Sequence, residues 1–132
     1  MTVLFLIVAR GGSKRVPNKN LRTINGISLV GYKALAAKHS RFYTVYNLHI
    51  STDSDQLADE ARRYGAKSYW MRPSELATDI ATTEDVVRQY IAIMEATEIL
   101  YDAIMLLEPS SPFVRPSDYD AAVELMIAKD VP

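Results

Sequence analysis

The stretch VLFLIVARGGSKR, residues 3–15, decides the fold. Its first part, Val3 to Ala9, is a continuous apolar run rich in β-branched residues, which is typical of a strand covered on both faces. Its second part carries two adjacent glycines, whose backbone N–H groups an anion can approach closely, and flanking cations. The stretch therefore predicts a buried strand that ends in an anion-binding loop.

Outward from this strand, patterns typical of strands and helices alternate along the chain. The predicted strands are Val3–Ala9, Val45–Ser51, Ser68–Met71 and Asp102–Leu107. The first predicted helix follows Ser28 as N-cap and carries Leu29, Tyr32, Leu35 and Ala36 as its apolar stripe. The other predicted helices are one capped by Ser54, one from Glu84 to about Ala96 capped by Thr82 or Thr83, and one capped by Ser117 that runs through Lys129.

Strand and helix alternating four times predicts right-handed βαβ crossovers. The expected architecture is three-layer α/β/α and Rossmann-like, with a mostly parallel sheet, in a single domain that spans residues 1–132. Sheets of this kind bind ligands at the carboxyl ends of their strands. Four loops are expected there: Arg10–Thr23, Thr52–Asp55, Arg72–Thr82 and Glu108–Pro116. The next strand of the alternation is missing after the last helix, so the sheet is expected to be incomplete at the C-terminus.

Composition excludes several classes of protein. The chain has 132 residues, 48% of them hydrophobic, which is too apolar for a disordered chain. It has no cysteine, so disulfides, thiolate nucleophiles and cysteine-based zinc sites are ruled out. No apolar run is long enough to cross a bilayer, and no cation precedes the first one as a signal peptide requires. These features favour a cytoplasmic protein without a membrane partner.

Charge is distributed unevenly along the chain. The formal net charge of −1 argues against a nucleic-acid partner. Residues 1–52 nevertheless hold eight cations and no acid, and five of these cations fall between Arg10 and Arg22. Such a cluster favours a compact anion, and a phosphorylated small molecule fits it better than a polymer. The alternative is a solvated basic turn between strand and helix.

Other candidate residues have ordinary structural interpretations. The Walker-type and dinucleotide glycine patterns are absent, and the two histidines, His39 and His49, are expected to be structural. Asp53 and Asp55 could bind a metal, but they fit a helix start equally well, and we favour that interpretation. Taken by itself, Arg72 would be a surface residue that forms a salt bridge with Glu75 or Asp79.

Six ordered motifs give a more specific signal. They are Arg10-Gly-Gly-Ser-Lys14, Lys19-Asn20, Ser51-Thr52-Asp53, Tyr64-Gly65-Ala66, Arg72-Pro-Ser-Glu-Leu-Ala-Thr-Asp79 and Leu106-Leu-Glu-Pro-Ser-Ser-Pro112. In this order they resemble the motifs of the acylneuraminate cytidylyltransferases, also called CMP-sialic acid synthetases. The resemblance runs from Val3 to about Lys129. It implies a nucleotide-diphospho-sugar transferase fold.

The resemblance also implies a reaction. CTP and a nonulosonic acid would give a CMP-sugar and pyrophosphate, assisted by Mg²⁺, through attack of the anomeric hydroxyl on the α-phosphorus. The implied triphosphate and α-phosphate contacts are Arg10, Gly11, Gly12, Ser13, Lys14 and Lys19, of which Arg10 and Lys19 are implied to be catalytic. Asn20 is implied to contact the nucleotide, and Arg72, Ala81 and Thr83 match family positions around the cytidine. The implied sugar contacts are Glu108, Ser110 and Ser111.

The chain departs from the family pattern in three places. Glu108 stands where the family usually has Gln, and Arg115 follows Pro112 by three places instead of two. Family members are also considerably longer, and their later part carries an acidic pair for Mg²⁺ and a dimerisation segment that this chain does not match. The sugar acid, the metal ligands and a homodimer therefore stay open. Two alternatives remain: a 3-deoxy-octulosonate cytidylyltransferase, and a nucleotide-binding module without turnover.

Overall fold

The computed structural model describes residues 2–11, 19–73, 82–97, 100–109 and 115–129, with Lys19 described by its backbone alone. The strands are β1 (Val3–Val8), β2 (Thr23–Ile24), β3 (Ile27–Ser28), β4 (Leu48–Ser51) and β5 (Ala103–Leu107). The α-helices are α1 (Leu29–Lys38), α2 (Asp55–Arg63), α3 (Thr83–Ala96) and α4 (Pro116–Lys129). A short 3₁₀-helix spans Lys19–Leu21.

The first strand lies at the centre of a parallel sheet. Its order is β4-β1-β5, and Ile7 stands opposite Ile50 on one side and Leu107 on the other. β1 is paired along both edges and its side chains are buried on both faces. This burial explains why its sequence is continuously apolar. The parallel register brings the carboxyl ends of all three strands to one edge of the sheet.

Helices cover both faces of this sheet. Alternate side chains of β1 point to opposite faces. Phe5 and Ile7 pack in the core cluster that contains residues of α1, α2 and α4, whereas Leu4 and Leu6 pack with Tyr90 and Met94 of α3. The predicted three-layer α/β/α architecture is therefore confirmed.

Three of the predicted helix starts are confirmed by side-chain caps. Ser28, Ser54 and Thr82 each accept a hydrogen bond from a backbone N–H in the first turn of the following helix. The prediction for the last helix is wrong by two residues, because α4 begins at Pro116 and Ser117 lies inside it and does not cap it. Proline suits the first helical position, where its missing N–H would have no partner in any case.

The third predicted strand, Ser68–Met71, does not form. Residues 67–71 follow the edge of β4 but pair with it only at two isolated bridges, His49 with Lys67 and Thr52 with Met71. From the first bridge to the second, the inner chain advances by three residues, from His49 to Thr52. The segment beside it advances by four, from Lys67 to Met71. The extra residue interrupts the ladder, as a bulge does.

Two other local predictions also need correction. The strand predicted from Val45 begins only at Leu48, because residues 44–47 form a turn in which Asn47 donates through Nδ2 to the carbonyls of Val3 and Phe42. The hairpin of β2 and β3 was not predicted. Its turn is Asn25-Gly26, with φ of 54° and 82°, which is a recognised hairpin signal.

The buried face of α1 differs from the predicted stripe. Tyr32 and Leu35 are only half-buried, whereas Lys33, Ala34 and Ala37 are buried. The helix packs its small residues against β1 and so approaches the sheet closely. A lysine that is 3% exposed on such a face is unusual and needs a reason.

Candidate functional site

The candidate site lies at the carboxyl edge of the sheet, where three loops begin. Arg10 and Gly11 follow β1, Asp53 and Ser54 follow β4, and Glu108 follows β5. These positions belong to the first, second and fourth of the loops expected there. The sheet register therefore brings the start of the basic loop, an acidic residue and Glu108 to one edge.

A hydrogen bond joins the first two loops. The backbone N–H of Gly11 donates to Oδ1 of Asp53 over 2.8 Å. A Cβ atom at position 11 would lie 2.9 Å from Cβ of Ser54, closer than real Cβ contacts allow. Glycine at this position thus permits the close approach of the two loops.

Asn20 ties the far end of the basic loop back to its start. Its Nδ2 donates to the backbone carbonyl of Arg10 over 3.2 Å. A small hollow beside this contact is lined by Arg10, Gly11, Asn20, Leu21, Ser54 and Leu57. Three of the predicted nucleotide contacts, Arg10, Gly11 and Asn20, are therefore neighbours in the structure.

Arg72 lies beneath the same edge and is buried, with 6% of its surface exposed. Its guanidinium donates through Nη2 to the carbonyl of Ser51 over 2.6 Å and to that of Ala9 over 3.3 Å. These bonds connect the ends of β4 and β1. The surface position that Arg72 by itself would predict is therefore wrong, and the side chain is part of the scaffold of this edge. The predicted partners Glu75 and Asp79 lie outside the described residues.

The electrostatic surroundings of Arg72 are mixed. Burial lowers the pKa of its guanidinium, the carboxylate of Asp53 opposes that effect, and Arg10 adds to it. Asp53 thus serves two groups, as acceptor for Gly11 and as counter-charge for Arg72. Asp53 and Arg10 therefore act on the charge of Arg72 in opposite directions at this edge.

Glu108 in the loop after β5 and Lys33 on α1 interact electrostatically. Glu108 is exposed directly after β5. Burial lowers the pKa of Lys33 on α1, and the charge of Glu108 raises it. Lys33 was missed in the sequence. The available signal was its place between Val30 and Ala37, one helical turn from each, on the face that packs against the sheet.

Several predicted site residues lie outside the described residues. They are Gly12, Ser13, Lys14, Ala81, Ser110, Ser111 and the side chain of Lys19. Thr83 is described as the exposed first residue of α3. The roles that the resemblance implies for these residues stay predictions.

Two acidic residues lie close together after β4, Asp53 and Asp55. Asp55 is the first residue of α2, in line with the helix-start interpretation, and Asp53 is hydrogen-bonded to Gly11. Among the residues that the structure describes, no group of three or more histidine, cysteine or acidic side chains could hold a metal ion. The Mg²⁺ that the resemblance implies stays a prediction.

His49 lies on β4 and is buried in an aromatic cluster. Its Nε2 is 2.8 Å from the carbonyl of Tyr46, and its Nδ1 is 2.7 Å from the hydroxyl of Tyr90. A carbonyl only accepts, so Nε2 donates and Nδ1 accepts from Tyr90. Burial lowers the pKa of His49, and this neutral, fully hydrogen-bonded ring has a structural role.

The fold and this edge together define an α/β protein of the nucleotidyltransferase class. Residues 4–131 match the family model described as cytidylyltransferase. The chain belongs to this family. Among the described helices, none is both long and apolar enough to cross a membrane.

Named relatives and a solved structure agree with this assignment. A CMP-N,N'-diacetyllegionaminic acid synthase of Legionella pneumophila is 39% identical over 128 residues, which are 95% of this chain and 53% of that protein. N-acylneuraminate cytidylyltransferase A of Danio rerio is 33% identical over 121 residues, 92% of this chain and 26% of that protein. The chain therefore spans about half the length of the first of these relatives and less of the second.

The fold is also similar to that of a CMP-2-keto-3-deoxy-manno-octonic acid synthetase solved with CTP. The TM-score is 0.79 at 21% identity, over 99% of this chain and 49% of that one. At this identity the likeness concerns the fold alone. The expected fold and the resemblance to the acylneuraminate cytidylyltransferases are confirmed.

Proposed function

We propose that the chain carries the nucleotide-binding part of an enzyme that activates a nonulosonic acid such as a sialic, legionaminic or pseudaminic acid. CTP and the sugar acid react to give the CMP-sugar and pyrophosphate. The main support is the basic loop after β1, whose start is tied to Asp53 through Gly11 and to Asn20 through the carbonyl of Arg10. These contacts hold Arg10 and the start of the basic loop at the ligand-binding edge of the sheet.

The reaction needs charge stabilisation more than covalent help. The oxygen of the anomeric hydroxyl attacks the α-phosphorus, the bond to the bridging β-phosphate oxygen breaks, and the hydroxyl proton passes to solvent or a base. Negative charge develops on the phosphate oxygens and on the leaving pyrophosphate. Cations placed beside the phosphates stabilise this charge as it develops.

The proposed roles follow the resemblance residue by residue. In this proposal, Arg10, Ser13 and Lys14 hold the triphosphate together with the backbone of Gly11 and Gly12. Lys19 neutralises the α-phosphate. Asn20, Thr83 and Ala81 border the nucleoside, while Arg72 supports the edge from below through its bonds to Ser51 and Ala9.

The sugar side of the proposed site is the loop after β5. Glu108, Ser110 and Ser111 are its proposed contacts. Mg²⁺ is the proposed metal, and when bound it would neutralise triphosphate charge. A cytoplasmic location and a homodimer complete the proposal.

Pyrophosphate release tests this function. The purified chain is incubated with Mg²⁺, each of the four nucleoside triphosphates and a panel of nonulosonic acids, with 3-deoxy-octulosonate and a no-sugar reaction included. Release with CTP and one nonulosonic acid is the expected result. Release only with 3-deoxy-octulosonate would move the substrate to that sugar. Binding of CTP without release by any pair would leave a nucleotide-binding module.

A further inference from the structure

The backbone that leads into Arg10 is held by hydrogen bonds to two other segments of the chain. The N–H of Ala9 donates to the carbonyl of Ser51 over 3.2 Å, which extends the pairing of β1 with β4. The carbonyl of Ala9 accepts from Nη2 of the buried Arg72 over 3.3 Å. The peptide group before Arg10 therefore has a fixed place at the end of the sheet.

The peptide group after Arg10 is held at both of its polar atoms. Its oxygen, the carbonyl of Arg10, accepts from Nδ2 of Asn20 over 3.2 Å. Its nitrogen, the N–H of Gly11, donates to Oδ1 of Asp53 over 2.8 Å. A peptide group is planar, so bonds at its oxygen and its nitrogen together oppose its rotation. Because the peptide groups on both sides are held, the direction in which the side chain of Arg10 leaves the backbone is set.

Asp53 has no other clear reason to stand at this edge. The helix that follows it, α2, is capped by the side chain of Ser54, which accepts from the N–H of Leu57, so Asp53 is not needed as its cap. An ionised carboxylate close to a triphosphate repels it. The bond to Gly11 therefore gives a negative side chain a use at an edge proposed to bind an anion.

We propose that Asn20 and Asp53 are positioning residues for Arg10, and that they orient its side chain toward the triphosphate by holding the peptide group between Arg10 and Gly11. This inference rests on the proposed function and refines the role of Asn20 in the same site. A cation that is already oriented when the ligand arrives loses less conformational freedom on binding, so it contributes more to affinity. Because both residues act through Arg10, their effects on binding depend on the presence of its side chain.

Two double-mutant cycles test this inference. The first combines Asn20→Leu with Arg10→Ala, and the second combines Asp53→Ala with Arg10→Ala. Leucine has nearly the shape of asparagine but cannot donate a hydrogen bond. Asp59→Ala is the matched control, because it removes an exposed carboxylate of α2 that pairs with Arg62. Thermal unfolding followed by circular dichroism checks that each variant folds, and calorimetric titration at constant salt gives the dissociation constant for CTP.

The expected effects appear only when Arg10 is present. In the wild-type background, Asn20→Leu and Asp53→Ala each raise the dissociation constant for CTP by about fivefold, as expected for one lost hydrogen bond. In the Arg10→Ala background, each raises it by less than about twofold.

The sign of the Asp53 effect is informative by itself. Loss of a negative charge near a triphosphate would tighten binding, so weaker binding by Asp53→Ala identifies a loss of positioning. Asp53→Asn keeps an acceptor oxygen for Gly11. Its dissociation constant for CTP should therefore not rise by more than about twofold, and neither should that of Asp59→Ala.

Other outcomes contradict the inference in distinguishable ways. Equal weakening by Asn20→Leu in both backgrounds would mean that Asn20 contacts the nucleotide directly and does not act through Arg10. Tighter binding by Asp53→Ala would show that its carboxylate only repels the ligand. The two cycles are independent, so a variant that fails to fold in one leaves the other decisive. A wild type that does not bind CTP would overturn the proposed function and this inference with it.

Discussion

The backbone nitrogen of Gly11 and Oδ1 of Asp53 lie 2.8 Å apart and join the loops after β1 and β4. The same carboxylate interacts electrostatically with the buried guanidinium of Arg72. Asp53 therefore links the start of the basic loop to the scaffold beneath it. This linkage fixes the direction in which the loop leaves the sheet.

Replacement of Asp53 distinguishes its acceptor role from its charge. Asp53→Ala removes the acceptor for Gly11, and we expect a loss of about 1 kcal/mol in the free energy of unfolding together with weaker CTP binding. Asp53→Asn retains an acceptor oxygen and loses less than half as much stability. Urea unfolding and CTP titration provide both values. Equal losses in the two variants would show that charge, and not the hydrogen bond, matters.

Arg72 should tolerate even a conservative change poorly. Lysine cannot reproduce the planar fork that bonds the carbonyls of Ser51 and Ala9, so Arg72→Lys leaves buried acceptors poorly satisfied. We expect a loss of about 2–3 kcal/mol in the free energy of unfolding. The matched control is Arg63→Lys on the exposed side of α2, with an expected change within about 0.5 kcal/mol. A neutral Arg72→Lys would contradict the scaffold role.

The buried imidazole of His49 predicts a pH-dependent stability. Because burial lowers its pKa in the folded state, the unfolded chain binds a proton at a higher pH than the folded chain does. His49 makes its full contribution to the free energy of unfolding above about pH 6.5, and this contribution is lost as the pH falls. The free energy of unfolding then changes by at most about 1.4 kcal/mol per pH unit. Urea unfolding between pH 5 and 8 measures this slope.

His49→Gln identifies the group responsible. Glutamine can donate to the carbonyl of Tyr46 and accept from the hydroxyl of Tyr90, yet it does not titrate. The variant should lose the part of the slope between pH 5 and 6.5 that is due to His49. His39→Gln, at the exposed end of α1, should keep that slope. An unchanged slope in His49→Gln would assign the pH dependence to other groups.

Lys19→Ala tests the proposed role at the α-phosphate. Removal of an oriented charge from the developing transition state should lower kcat/KM by a factor equivalent to about 3 kcal/mol, with only a modest loss of CTP affinity. Arg22→Ala, an exposed cation three residues further along, is the matched control and should change kcat/KM little. Unchanged turnover by Lys19→Ala would exclude the proposed role.

Much of the fold could be predicted from local patterns. The apolar run of β1 and the caps Ser28, Ser54 and Thr82 act over a few residues, so their effects are visible in the sequence. The carboxyl edge of a parallel sheet follows from the alternation of elements. For that reason Arg10, Gly11 and Asn20 were expected together and are found together.

What could not be predicted depends on contacts distant in sequence. The extra residue between Lys67 and Met71 is visible only against the register of β4. The burial of Arg72 depends on carbonyls that are 21 and 63 residues away. Lys33 resembles any helix lysine until the packing of α1 and the position of Glu108 are known. The Asn25-Gly26 turn is different, because its hairpin signal is local and present in the sequence.

The most direct test of the central claim is a calorimetric titration of the wild-type chain and of Arg10→Ala with CTP, ATP, GTP and UTP. The account predicts that the wild type binds CTP more tightly than the other three nucleotides. It also predicts that Arg10→Ala weakens CTP binding by about tenfold or more, as expected for a lost charge-assisted contact. Equal affinity for all four nucleotides would contradict cytidine recognition at this edge, and unchanged CTP affinity in Arg10→Ala would contradict triphosphate binding by the basic loop.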